Sequence, residues 1–167
     1  MDCAPSLVVT VKDPSLLAGQ GFQLIYEFWL KSKGDRELPP ARAIAPHAIP
    51  KPLLGDCSIM SVEDGKKRFH IRLMGTRVVQ ALGFDLTNCW GDDQPNAAEV
   101  IAACMNCVDS RLPLYSEIST AWAGHDFKRS KSLMLPYAGP DNSVRRILSY
   151  VQFCYPAKSA PCDLRPV

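Results

Sequence analysis

The side chains of this chain that are best suited to chemistry are two cysteines three positions apart, Cys104 and Cys107. A thiolate pair at this spacing can bind zinc or act as a redox couple. A structural zinc site needs about four ligands, and the sequence has no second cysteine or histidine pair at a matching spacing. The pair also falls in the middle of a predicted helix. We therefore interpret both as small buried side chains, which disfavours zinc.

No other pattern points to catalysis. Ser58, Ser130 and Ser132 lie on predicted strands, and none has the flanking glycines of a nucleophile elbow. The glycines of residues 19–21 lack the third glycine and the preceding strand of a phosphate-binding loop. The carboxylate pair at 92–93 falls in a predicted turn, where solvated acidic residues are common. We therefore expect no enzymatic activity.

Composition limits the classes of partner. The chain has 167 residues, of which 47% are hydrophobic, and a net charge of +2, so it predicts one globular domain without the concentrated basic surface of a nucleic-acid binder. The first ten residues do not resemble a signal peptide, and no apolar run is long enough to span a membrane. The seven cysteines, an odd number, fit reduced thiols. We expect a cytoplasmic protein.

The elements that must position these residues begin with an aromatic helix. Residues 22–33 predict a helix in which seven of the first nine residues are apolar, Gln23, Glu27 and Lys31 form a narrow polar stripe at four-residue spacing, and Gly34 provides a stop. The proline-rich segment 38–52 then predicts an extended connector, because proline lacks the amide hydrogen that helices and strands need.

Beyond the connector, the hydrophobic period predicts five strands and two helices. The predicted strands are residues 57–62, 68–74, 114–122, 127–135 and 144–154, and the predicted helices are residues 76–82 and 95–110. Before them, residues 1–19 predict a loose leader, and residues 155–167 a loose tail, which leaves a single domain over residues 20–154.

Five short motifs in this order resemble a family of compact, single-domain bacterial proteins with the PAS fold. They are Trp29-Leu30, Leu38-Pro39 with Arg42, Arg72-Leu73-Met74-Gly75-Thr76, Gly83-Phe84-Asp85-Leu86-Thr87-Asn88 and Leu135-Pro136. At Asn88 the family favours glycine, and asparagine is the next-best residue for a left-handed backbone.

The resemblance implies an α+β fold: a five-stranded antiparallel sheet with short crossover helices and an N-terminal helix. It also implies a non-catalytic sensory or regulatory module that binds a small molecule or a protein partner in signalling. Two alternatives stay open. One is a ligand-free adaptor that works by protein contact, and the other is a redox or flavin-dependent protein that uses Cys89 or the pair Cys104 and Cys107.

Cofactors known from relatives are disfavoured by the residues present. Light-sensing relatives use an asparagine followed by a cysteine that adds to a flavin, which here would be Asn88 and Cys89. The residues that hold the flavin in those relatives do not follow, since the chain continues with Trp90 and Gly91. Haem sensors place a histidine on the long crossover helix, and residues 95–110 contain none.

A ligand pocket, if present, is predicted between the concave face of the sheet and the helices of residues 84–108. Such pockets are mostly apolar with a few polar groups. Aromatic bulk or a hydroxyl at a strand or crossover position selects five candidate ligand-binding residues: Phe69, Trp90, Tyr115, Ser132 and Tyr150.

The aromatic helix predicts a homodimer. One sheet face can cover about half of its apolar circumference, and the rest would form a larger exposed patch than monomers usually carry. The predicted interface residues are Phe22, Ile25, Phe28 and Trp29. In the alternative, residues 38–52 fold back and cover the second face of the helix.

Overall fold

The computed structural model describes residues 6–63, 68–95, 97–119 and 129–154. The α-helices are α1 (Gln20–Lys33), α2 (Lys51–Leu54), α3 (Thr76–Leu82) and α4 (Ala98–Ser110), with 3₁₀ turns at Pro14–Leu16, Ala41–Ala43, Pro46–Ala48 and Gly91–Asp93. The strands are β1 (Leu7–Thr10), β2 (Cys57–Glu63), β3 (Arg68–Met74), β4 (Leu114–Ser119), β5 (Arg129–Ala138) and β6 (Val144–Cys154). Among the described residues, no helix is long and apolar enough to cross a membrane.

All six strands form one antiparallel sheet in the order β1-β4-β5-β6-β2-β3. The predicted α+β class is confirmed, with six strands among the described residues where five were expected. The additional strand, β1, pairs with β4 inside the segment that we expected to be a loose leader. Its four residues are all exposed, so the alternation of buried and exposed positions that reveals a strand in a sequence is missing. The predicted loose tail, residues 155–167, lies outside the described residues.

Helix α1 covers one face of the sheet, called here the α1 face. Four α1 side chains at three- and four-residue spacing are buried against it: Phe22, Ile25, Tyr26 and Trp29. The Trp29 indole Nε1 donates a hydrogen bond of 2.8 Å to the carbonyl oxygen of Pro136 on β5. Helix α1 also approaches the sheet closely, because a Cβ atom at Gly21 would overlap the Tyr150 hydroxyl oxygen.

This packing corrects the predicted dimer interface. Phe22, Ile25 and Trp29 are buried by their own chain, and Phe28 is partly buried against the same core. The connector also joins this core, through residues such as Ile44 and others at 38–49. The predicted interface residues are therefore largely covered within one chain, whereas Leu24 and Leu30 on the same helix remain exposed. Whether the connector covers the second face of α1 stays a prediction.

The other face of the sheet, called here the cavity face, is covered by α3, α4 and the segment between them. Helix α3 ends at Gly83, whose φ of 80° is left-handed, and Asn88 is also left-handed at 68°. Helix α4 buries Ala103, Cys104 and Cys107 toward the sheet. The turn that resembles the family motif is thus formed with asparagine in place of glycine.

Candidate functional site

A cavity of about 160 Å³ lies between the cavity face of the sheet and the helices above it. The strands contribute Ser58, Met60, Ile71, Met74, Ile118, Ser130, Ser132, Met134, Ser149, Val151 and Phe153. The helical side contributes Val78, Leu82, Leu86, Gly91, Gln94, Ala97, Val100 and Ile101. The walls are mainly aliphatic and thioether side chains, and hydroxyl groups lie on the floor.

The space exists because small side chains meet in register on the central strands. Ser58 on β2 pairs with Ser149 on β6, and Ser132 on β5 pairs with Ser116 on β4. The hydroxyl oxygens of Ser116 and Ser132 lie 2.8 Å apart and form a hydrogen bond, so these buried groups satisfy each other. Serines at these positions leave a floor that larger aliphatic residues would fill.

The segment between α3 and α4 is held onto the free edge of β3. The Asn88 amide donates to the Ile71 carbonyl at 2.8 Å, and the Ile71 amide donates to the Cys89 carbonyl at 2.9 Å. Further along, an Asp92 side-chain oxygen accepts a 2.8 Å hydrogen bond from the Phe69 amide. These contacts fix one wall of the cavity.

The cavity lies where the sequence predicted a pocket, between the sheet and residues 84–108. Of the five candidate ligand-binding residues, the structure brings only Ser132 into its wall. Phe69 is fully buried and does not line the cavity. Trp90 packs outside it, with the Arg68 guanidinium 4.3 Å from its ring centroid and the His70 ring at 4.9 Å.

The two tyrosines lie on the α1 face, where both contact Phe22. The ring centroids of Tyr115 and Tyr150 are 5.6 and 5.1 Å from that of Phe22, in edge-on arrangements. Burial raises the pKa of both phenols. Tyr150 lies between Ser149 and Val151, which both line the cavity, so a shift of one residue along β6 separates the predicted face from the observed one.

Apart from Ser132, the sequence reasoning missed the serines of the floor and the methionines of the walls. Met60, Met74 and Met134 all line the cavity. A signal was present in β5, where Ser130, Ser132 and Met134 alternate with other residues at the period of a strand. Giving small side chains the same weight as aromatic ones would have selected this face.

The paired thiols of α4 have the environment of core residues. Cys104 and Cys107 are fully buried, and burial raises the pKa of Cys104 to about 12 and that of Cys107 well above its usual value. Both therefore stay protonated at neutral pH, unlike reactive redox thiols. Within the described ranges, no three His, Cys, Asp or Glu side chains converge as metal ligands. Cys89 is partly exposed and does not line the cavity.

Comparisons with known proteins identify the family of this chain. A family model described as "PAS domain" matches residues 19–152. No curated protein matches the chain. One similar solved structure, "Structure of an RNA-binding Light-Oxygen-Voltage Receptor", has a TM-score of 0.48 and 11% identity, over 89% of this chain and 38% of that chain. Because the family model spans α1, the connector, the cavity and nearly all of the sheet, this protein belongs to the PAS domain family.

Proposed function

We propose that this PAS domain is a non-catalytic sensory module that binds a small, mostly apolar molecule in the cavity and passes its occupancy to a signalling protein. The cavity carries this proposal. It combines apolar walls with a few hydroxyl groups, which is the usual composition of a small-molecule site. Membership of a family whose general role is sensory agrees with it.

The size of the cavity narrows the proposed ligand. An apolar cavity of about 150 Å³ accommodates benzene or xenon, and this cavity has about 160 Å³. The volume therefore suits a ligand of about one aromatic ring or a short aliphatic chain. Haem and flavin ring systems are much larger than benzene, so a ligand of that size would need the helices to move outward.

The floor suggests that the ligand also carries a polar group. The hydroxyls of Ser58, Ser132 and Ser149 come from three neighbouring strands and can each donate or accept a hydrogen bond. Phenol, with one ring and one hydroxyl, is a suitable probe of this chemistry. Occupancy would bear directly on α3 and α4, whose side chains form the opposite wall.

The test uses NMR of ¹³C-methyl methionine in the 167-residue protein, titrated with phenol and with benzene. Met60, Met74 and Met134 line the cavity, whereas Met105 is exposed on α4 and serves as an internal control. We expect saturable shifts of the three cavity methyl signals, with phenol binding more tightly than benzene. Shifts confined to Met105, or none that saturate, would contradict the proposal.

A matched pair of variants separates cavity binding from general effects. Ser132→Leu adds volume to the floor of the cavity, while Ser32→Leu adds the same volume on α1, on the opposite side of the sheet. We expect Ser132→Leu to abolish the phenol-dependent shifts and Ser32→Leu to retain them. Equal phenol affinity in both variants would exclude the cavity as the site.

We also propose a second function, which is association with another protein chain. The specific complex that we propose is a homodimer. Strand β1 lies at the edge of the described sheet, and Leu7, Val8 and Val9 are exposed on it. Leu24 and Leu30 are the exposed apolar residues of α1. Unpaired edge strands with apolar side chains and no charge favour pairing with another chain. This arrangement would suit an adaptor that needs no ligand.

Sedimentation velocity at micromolar concentration tests the homodimer. Wild-type protein is expected to sediment as a dimer, and Val8→Lys as a monomer, because a charge on an edge strand opposes pairing. Val8→Thr keeps the branched shape without a charge and should remain dimeric. If wild type is monomeric, the homodimer proposal is wrong and only the proposed sensory function remains.

We propose no nucleic-acid partner and a cytoplasmic location. The RNA-binding property belongs to the similar solved structure and is not carried over. The net charge is only +2, and several arginines are already paired with carboxylates. The pairs are Arg68–Asp93, Arg77–Asp56, Arg111–Glu37 and Arg145–Asp141, at 2.8, 2.6, 3.1 and 2.8 Å.

A further inference from the structure

Three sulfur atoms from three elements meet at the border of the cavity and the core. The Cys104 Sγ on α4 lies 4.0 Å from the Met60 Sδ on β2 and 3.9 Å from the Met134 Sδ on β5. All three residues are buried. Cys107 does not belong to this cluster, because its Sγ donates to the carbonyl oxygens of Leu112 and Met134.

Two of the three sulfur–sulfur separations fit a three-coordinate metal site. A thiolate sulfur lies about 2.3 Å from a bound transition metal, so three sulfurs arranged in a triangle around one ion lie roughly 4.0 Å apart. The two observed separations, 4.0 and 3.9 Å, match this value. Binding of an ion would bring the two thioether sulfurs to the same separation from each other.

The ligand types select the metal. Soft thiolate and thioether sulfurs favour Cu(I), whereas zinc is bound by thiolate, imidazole and carboxylate groups. One thiol and two thioethers offer zinc too few of its usual ligands. We propose that Cys104, Met60 and Met134 form a binding site for Cu(I).

The net charge of the occupied site and the route to it both suit a monovalent ion. On binding, the Cys104 thiol releases its proton to water and the Cu(I)–sulfur bonds form, with no change of oxidation state. The resulting thiolate and the ion sum to zero charge, which is the arrangement that a buried site tolerates. Met60 and Met134 also line the cavity, which gives the ion a route to the cluster. This site does not depend on the proposed organic ligand.

The experiment is an anaerobic competition for Cu(I) between the 167-residue protein and the chromogenic chelator bicinchoninate. Other cysteines could bind copper, so the background variant carries serine at Cys3, Cys89, Cys154 and Cys162 and keeps the three buried cysteines. We expect this protein to take one equivalent of Cu(I) from the chelator. Failure to remove copper from the chelator would overturn the proposal.

Matched substitutions assign the ligands. Cys104→Ala, Met60→Leu and Met134→Leu are each expected to weaken Cu(I) binding by at least the roughly 10- to 100-fold that loss of an outer-sphere partner costs. Cys57→Ala removes a buried cysteine on the α1 face, and Met74→Leu removes another cavity methionine, so neither should change the affinity. The leucine variants conserve volume and keep the test valid if Cys104→Ala does not fold.

Methionine methyl NMR with Cu(I) provides an independent readout. Met60 and Met134 should shift, while Met74 and Met105 should not. An organic ligand in the cavity would instead shift Met74 as well, which distinguishes the two proposals. If the leucine variants bind Cu(I) as tightly as the background variant, or if Cys57→Ala causes the same loss as Cys104→Ala, the three-sulfur site is wrong.

Discussion

The two faces of the sheet are built from alternate residues of the same strands, yet only one of them is filled. On β5, Leu133 is fully buried toward the α1 face, while its neighbour Ser132 lines the cavity. On β6, Tyr150 packs against α1 through Phe22, and Ser149 lies on the cavity floor. The difference is one of side-chain volume, since backbone and register are shared.

This contrast places close packing and empty space on opposite faces of one sheet. The α1 face combines aromatic edge contacts, the hydrogen bond of Trp29 and the close approach at Gly21. Its packing leaves little tolerance for change. On the cavity face, the small serine side chains do not fill the layer in this way. The space that they leave is the cavity in which we propose that a ligand binds. We therefore expect equivalent substitutions on the two faces to have unequal effects.

The largest effect is expected from removing the same aromatic ring on each face. Phe22→Ala should lower the free energy of unfolding by about 3–5 kcal/mol, because Phe22 is fully buried. Phe153→Ala should cost less than half of that value, since Phe153 is partly exposed and already borders empty space. Urea denaturation measures both. Equal losses would mean that the two faces are packed alike.

The second effect compares added volume at two glycines. In Gly21→Ala the new Cβ meets the Tyr150 hydroxyl, and the overpacking should cost about 1–3 kcal/mol despite the better helix propensity of alanine. In Gly91→Ala the nearest atom is the flexible end of Ile101 at 3.3 Å, so little change is expected. Adding Tyr150→Phe to Gly21→Ala should restore part of the lost stability. The same Tyr150→Phe substitution in wild type should not increase stability. No recovery would mean that the strain comes from the ring carbon Cζ of Tyr150, 2.7 Å from the new Cβ, and not from the hydroxyl.

Sequence reasoning predicted the elements better than the side-chain directions. Strands 57–62, 68–74 and 144–154 nearly coincide with β2, β3 and β6, because each shows a clear period between turn residues. Strand β1 was missed, since it has no buried face. Tyr115 and Tyr150 were assigned to the wrong face of the sheet. The residues on either side of each tyrosine could also be buried, so the local sequence does not show which face is which. The register is set by long-range strand pairing.

The third prediction tests whether both faces exclude water. Cys57 lies under the α1 face and Cys104 under the cavity face, and burial raises the pKa of each to about 12. A raised thiol pKa favours the protonated folded state, so its contribution is complete below the unfolded pKa near 9 and is lost as the pH rises toward 12. Each thiol should steepen the loss of stability above pH ~9 by about 1.4 kcal/mol per pH unit.

These slopes are measured from the unfolding free energies of wild type, Cys57→Ala and Cys104→Ala. The pH range is about 8 to 10.5, which includes the unfolded thiol pKa. Both variants should show a shallower decline than wild type. A shallower decline in Cys57→Ala alone would mean that water reaches Cys104 through the cavity. The comparison between the faces would then extend from packing to solvent access.

The smallest effect is expected from filling the cavity itself. Ser149→Val adds apolar volume to the floor, and the unfolding free energy should change by less than about 1 kcal/mol, because the side chain enters existing space. Leu133→Phe adds volume on the fully buried α1 face and should cost about 1–3 kcal/mol. Thermal and urea unfolding of the two variants measure the difference. If Ser149→Val lowers the unfolding free energy as much as Leu133→Phe does, the serines of the floor are required for packing. Their small size would then not be explained by ligand binding.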